Sequence, residues 1–161
     1  MPAFALGGAI YGNLAGVSAT KLNQALAAVT NASAECDLTR RLAESIVNRA
    51  WSDGCEVMDA SAGQTNFDTR LTVRVITQQL TRAGNESPDP PLLLHYLVEA
   101  RLTDAKGELL YSTYCETKSR RWKFVEWAED DARRLREEAA CQREEIAAKL
   151  VRRVFLGEDS E

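Results

Sequence analysis

Apolar residues along this chain recur with a period of about 3.6 near both ends and with a period of two in the middle, and that change of period marks out the elements. From Ser18 onward, Leu22, Ala25, Leu26 and Val29 fall at helical spacing and give way to the polar run Thr30-Asn31-Ala32-Ser33, where a first helix is expected to end. A second helix is predicted from Leu38 to about Trp51. Asp37 supplies an N-cap carboxylate, Leu42, Ile46, Val47 and Ala50 line one face, and Asp53-Gly54 provides a left-handed stop. A short strand, Cys55–Ala60, should follow. Between Arg70 and Leu80, Leu71, Val73 and Val75 alternate with Thr72, Arg74 and Gln78, the pattern of a half-buried strand with Gln78 on its polar side.

The polar, proline-rich stretch Ala83–Pro91 reads as a connection. The strand Leu92–Leu102 points Leu94, Tyr96, Val98 and Ala100 one way and His95, Glu99 and Arg101 the other. Asp104-Ala105-Lys106-Gly107 is a turn, and Leu109–Thr117 returns as the partner strand of a hairpin. An amphipathic helix closes the chain from about Val125 to Phe155, with Ala128, Ala132, Leu135, Ala139, Ile146 and Leu150 on one stripe. Its roughly 30 residues would extend about 45 Å as one rod, so one end is expected to overhang the sheet and invite a partner. The order of elements makes the class α+β: a three- to four-stranded antiparallel sheet, helices on one face and a long C-terminal amphipathic helix. The chain divides into an apolar Gly/Ala-rich N-terminal arm (1–35), an α+β domain (36–157) and a short tail (158–161).

At 161 residues the chain is one domain by length, and its 45% hydrophobic and 27% charged fractions are those of a globular protein. The net charge of −4 argues against a nucleic-acid partner. Charge is graded along the chain: Lys21 and Glu35 are the only charges before Cys36, whereas the segment from Lys118 onward is densely charged. The most apolar stretch, Phe4–Val17, is too short to span a bilayer and has no basic region before it, so it is not an intact signal peptide. Whether an export signal precedes Met1 stays open.

Chemistry-bearing motifs are sparse. His95 is the only histidine, none of the four cysteines sits in a CxxC spacing, and there is no P-loop, GxGxxG or GxSxG. No catalytic residue, metal site or cofactor is therefore expected. His95, mid-strand and able to reach Glu99, reads as a polar surface residue, and Glu126, Glu129, Asp130 and Asp131 read as a solvated, ion-paired helix start. The even cysteine count (Cys36, Cys55, Cys115, Cys141) makes all four disulfide candidates and suggests an oxidising compartment. Cys36 and Cys55, flanking a helix, are not expected to pair with each other, and Cys141 should be exposed opposite the apolar stripe. Gly8, Gly12 and Gly16, four apart, form either a helix-packing stripe that supports self-association or docking, or a flexible leader. Lys118, Arg120, Arg121 and Lys123 interleave with Trp122 and Phe124 ahead of the last helix. That cluster suits an anionic lipid or lipopolysaccharide headgroup; in the other reading, its aromatics anchor the helix and its cations are merely solvated.

From Asp37 onward the plan resembles the small α/β domains of bacterial periplasmic and outer-membrane lipoproteins, such as the lipopolysaccharide-assembly lipoprotein and the N-terminal domain of the Tol-Pal propeller protein. The residues that carry the likeness are the helix LTRRLAESIVNRAW, the strand RLTVRVITQQLT, the hairpin LLHYLVEARLTDAKGELLYST with its turn around Asp104–Glu108, and the closing helix ending AAKLVRRVFL. The lipidated cysteine of such proteins has no counterpart near Met1. The resemblance implies a non-enzymatic envelope assembly or accessory protein, periplasmic or outer-membrane associated, acting on a protein partner. The alternative is a cytoplasmic adaptor or inhibitor that binds a single protein and keeps its cysteines reduced.

Overall fold

Hydrogen-bonding side chains set where each helix begins. The computed structural model describes residues 18–58, 67–84 and 91–157. Ser18 Oγ accepts the Lys21 N–H at 3.4 Å to open α1 (Ala19–Glu35), and the Asp37 carboxylate accepts the Thr39 N–H at 3.0 Å to open α2 (Leu38–Ser52). Helix α1 does not stop at the polar run. Ser33 is buried and donates to the Val29 carbonyl at 2.6 Å, so its hydroxyl is satisfied within the helix, which continues to Glu35. Residues 19–35, read from sequence with the N-terminal arm, thus contribute Val29 and Ala32 to the same core as α2.

The strands β1 (Thr69–Arg82), β2 (Leu92–Asp104) and β3 (Leu109–Lys118) form one antiparallel meander in the order β1-β2-β3. The expected strand at Cys55–Ala60 is not found. Cys55–Met58 are without strand pairing, and the Cys55 N–H is taken by the Ala50 carbonyl of the helix end at 2.8 Å. Residues 59 and 60 lie outside the described residues, among which the sheet has three strands. The β2–β3 turn closes on Asp104, whose carboxylate accepts the N–H groups of Lys106 (2.9 Å) and Glu108 (2.8 Å), with Gly107 at φ 86°.

A bulge in β1 changes which side chains face the helices. Val75 stands opposite Val98 and Thr77 opposite Leu97, leaving Ile76 as the extra residue. Before it, Leu71, Val73 and Val75 face the helices; after it, Gln78 and Leu80 do. Gln78, expected on the polar side, is therefore only 6% exposed. It joins the sheet to the helix pair: its Oε1 accepts the Leu38 N–H at 3.2 Å and its Nε2 donates to the Cys36 carbonyl at 3.3 Å.

The helices cover one face only. Leu42 and Ile46 of α2, Leu94, Tyr96 and Val98 of β2, and Leu135, Ile146 and Leu150 of the last helix are buried in a single core. Each fully buried Leu or Ile contributes about 1.5–3 kcal/mol. The opposite sheet face carries Thr72, Arg74, His95, Glu99, Arg101, Tyr114 and Glu116, and none of these belongs to the core. No described helix is long and apolar enough to cross a membrane.

The last helix, α3 (Phe124–Val151), is not the continuous rod the sequence suggests. Glu129 leaves the helical region (φ −57°, ψ 147°), and Asp130, Asp131 and Ala132 take left-handed conformations at φ 50°, 56° and 58°. For residues with a Cβ this costs about 1–2 kcal/mol each, and burial on both sides opposes it. Phe124 and Trp127 before the break and Ala132 and Leu135 within and after it are all buried. The break folds Trp127 back onto the start of β2, where its Nε1 donates to the Leu92 carbonyl at 3.2 Å. Arg136 holds the turn by donating to the Asp131 carbonyl and carboxylate, and it pairs with Glu35 of α1 at 2.7 Å. The helix passes into a π-helical turn, Arg152–Leu156, which Gly157 stops at φ 65°.

Candidate functional site

The basic segment between β3 and α3 is a clamped connector. Ser119 N–H donates to the Leu94 carbonyl at 2.9 Å, and Ser119 Oγ accepts the Leu94 N–H at 2.8 Å. Three residues later Trp122 N–H donates to the Leu92 carbonyl (2.9 Å), and Leu92 N–H donates to the Trp122 carbonyl (2.7 Å). Arg120 and Arg121 lie between these two anchor points, both exposed, and neither side chain has an ion pair or hydrogen bond among the described residues. The other members of the cluster are engaged differently. Lys118 pairs with Glu116 at 2.7 Å. The Lys123 N–H donates to the Glu126 carboxylate at 2.7 Å, closing the first turn of α3. Trp122 is half-buried with the Arg134 guanidinium 4.1 Å above its ring, and its buried Nε1 has no hydrogen-bond partner among the described residues. Phe124 is in the core. Of the six residues, Arg120 and Arg121 are the pair displayed together and unengaged.

Two charged networks occupy the uncovered sheet face. The Glu116 carboxylate sits between Lys118 and His95 Nε2 (2.9 Å), and the Lys118 ammonium, followed by His95, holds it below the usual carboxylate range. Glu99 is reached by Arg101 (2.7 Å) and by the Tyr114 hydroxyl (3.2 Å), not by His95. The Arg101 guanidinium is the larger cause of its lowered pKa. Neither network sets a nucleophile beside a free base. Of the acidic run, Glu126 caps the helix, Asp130 pairs with Arg133 at 3.0 Å and Asp131 with Arg136 at 3.3 Å, a surface ion-pair lattice. Among the described residues no group of three His, Cys, Asp or Glu is placed to hold a metal ion.

The disulfide candidates do not come together: Cys36, Cys55, Cys115 and Cys141 are all free thiols. Cys141 is exposed on α3, where its periodicity places it; Cys115 is buried in β3, and Cys55 follows a helix rather than lying in a strand. Burial pushes the Cys36 and Cys115 thiols up. Gly8, Gly12 and Gly16 lie outside the described residues.

One cavity was not legible in the sequence. Helix α2 stands off from the first half of β1, leaving a groove of ≈ 480 Å³ between them. Leu42, Ile46 and Val47 line one wall and Leu71 and Val73 the other, with Phe155 at one end. Periodicity identifies these residues as core-facing but carries no information on how closely the helix approaches the strand. No protein-family model, curated protein or solved structure matches this chain.

Proposed function

We propose that this chain is a non-enzymatic assembly or accessory module of a bacterial cell envelope. It works by protein–protein contact and uses Arg120 and Arg121 to meet anionic lipid or lipopolysaccharide headgroups. One observation carries the reading: two guanidiniums, exposed and without partners among the described residues, are held on a connector tied at both ends to β2. A clamped backbone has little loop entropy left to lose on binding. Each cation near an anionic membrane surface is worth about 1 kcal/mol, so the pair supplies about 2 kcal/mol, roughly 30-fold in partitioning. The test is cosedimentation with vesicles containing phosphatidylglycerol, against vesicles of phosphatidylcholine alone. Binding should weaken as salt shortens the Debye length toward about 8 Å, and R120E/R121E should abolish it without a change in melting. Absence of any salt-sensitive binding by the unmodified chain refutes the headgroup contact.

A second reading is favoured by the four free thiols: an adaptor that binds one protein partner in a reducing compartment. Thiol mapping in the native host separates the two, since an oxidising compartment would leave exposed Cys141 blocked or cross-linked and a reducing one would leave it free.

A further inference from the structure

Among the described residues the sheet ends at β1, which pairs with β2 on one side only. A strand of this kind, 14 residues long, leaves the N–H and C=O groups of alternate residues pointing off its outer edge. At the other edge of the sheet, Arg153 donates to the Tyr114 carbonyl of β3 at 2.7 Å. Among the described residues nothing comparable covers β1. Two further observations fall on the same stretch, residues 69–75. On its helix-facing side runs the groove, lined by polar Thr39, Glu56 and Asp68 as well as by aliphatic side chains; Leu71 and Val73 are only half-buried there although Leu42 and Ile46 beneath them are fully so. On its other side stand Arg70 and Arg74, both exposed, in a strand that contains no Asp or Glu. Neither arginine is in an ion pair among the described residues. Arg70 stacks on Phe67 at 4.4 Å, and the carboxylate across from Arg74, Glu99, is hydrogen-bonded by Arg101 and Tyr114 and attracts Arg74 only through space, as the smallest cause of its lowered pKa.

We propose that residues 69–75 of β1 form a strand-addition site for an extended segment of a partner protein, apolar on one face and acidic on the other. Backbone groups of the incoming strand pair with the open edge. Its apolar side chains enter the groove beside Leu71 and Val73, and its carboxylates lie across from Arg70 and Arg74. A second copy of this chain is the poorer occupant: two β1 edges paired antiparallel about Thr72, the register that overlaps residues 69–75 most fully, would set Arg70 against Arg74, and like charges directly opposite are destabilising. The site deepens the protein-contact part of the proposed function and uses a different surface from Arg120 and Arg121, so the vesicle assay and the following one fail independently.

The probe is a capped peptide of about eight residues alternating valine and glutamate, a typical strand length, added to the full isotope-labelled chain. Amide exchange should slow at alternate residues of 69–75 and stay unchanged along β3. R70E/R74E should stay folded but melt below the parent, because the new carboxylate at position 74 faces Glu99 and the Arg70–Phe67 contact is lost; it should bind that peptide at least about tenfold more weakly at low salt, and gain binding to a valine–lysine peptide. Val73→Lys, which puts an ammonium into the groove, should lose both peptides while the arginines remain. The proposal is overturned if millimolar peptide protects no β1 amide, if β3 is protected equally, or if the charge reversal leaves both peptide affinities where they were.

Discussion

Replacing Gln78 with leucine tests the architecture at its most informative joint. The substitution nearly conserves volume but removes both side-chain hydrogen bonds, the acceptor for the Leu38 N–H at 3.2 Å and the donor to the Cys36 carbonyl at 3.3 Å. The two backbone groups remain. A buried backbone group left without a partner costs about 1–3 kcal/mol. Leu38 is fully buried and bears this in full, whereas Cys36 is half-buried and its carbonyl can recruit water. The sum is about 2–3 kcal/mol, a sizeable share of the 5–15 kcal/mol that holds a domain together. At this chain length 1 kcal/mol moves the midpoint by about 2–4 °C, so Gln78→Leu should melt roughly 4–12 °C below the parent. Gln79→Leu, one residue along and on the other sheet face, should melt within about 2 °C of it, as surface substitutions usually do. Thermal denaturation followed by circular dichroism, with urea titration to confirm an unchanged m-value, reads both. If Gln78→Leu proves as stable as the parent or more so, Gln78 faces solvent, as uninterrupted alternation would place it, and the bulge at Ile76 is wrong.

Trp127→Ala removes a side chain that is 0% exposed and hydrogen-bonded to Leu92, and should cost about 3–5 kcal/mol, whereas Trp51→Ala, at 56% exposure, should be near neutral; urea titration compares them. Arg101 lowers the Glu99 pKa in the folded chain, so the unfolded chain binds more protons through the acid range. The stability advantage of the parent over Glu99→Gln should therefore be full above the ordinary carboxylate value of 4.5 and fade as pH falls below it, measured as the difference in melting temperature across pH. A thiol reagent should modify Cys141 first and Cys115 last, the latter only on unfolding, as peptide mapping over a time course would show.

Local chemistry made some elements readable in advance. Helix α2 is bounded by Asp37 and by Asp53-Gly54, and the β2–β3 hairpin by Asp104 and Gly107, all residues whose side chain or backbone freedom dictates a cap or a turn. What escaped prediction is set by packing rather than by local preference. No glycine or proline announces the break at Glu129–Ala132; burial of Trp127 and Ala132 on either side imposes it. Thr30–Ser33 look like a stop, yet Ser33 turns inward and satisfies itself on Val29. The basic segment was conspicuous as composition, but only the two anchors at Leu94 and Leu92 separate Arg120 and Arg121 from the engaged Lys118 and the half-buried Trp122. The groove beside β1 had no signature, because its walls combine core residues such as Leu42 and Ile46 with ordinary surface residues such as Thr39 and Glu56.

The bulge in β1 has a consequence for how this chain tolerates changes in length. Alternation runs in one frame up to Val75 and in the opposite frame from Thr77, and Ile76, 43% exposed and without a cross-strand partner, is the spacer between the frames. Deleting a residue inside a strand ordinarily exchanges its inward and outward faces beyond the cut. Ile76 is the exception: without it Val75 and Thr77 become true neighbours, still opposite Val98 and Leu97, and Gln78 keeps its aim at Leu38. Loss of Thr72, by contrast, turns either Leu71 before the cut or Val73 and Val75 after it outward, and absorbing the spacer restores only the residues beyond the bulge. Along this strand, shortening by one residue therefore has a single inexpensive location, and compensating deletions and insertions should accumulate around Ile76.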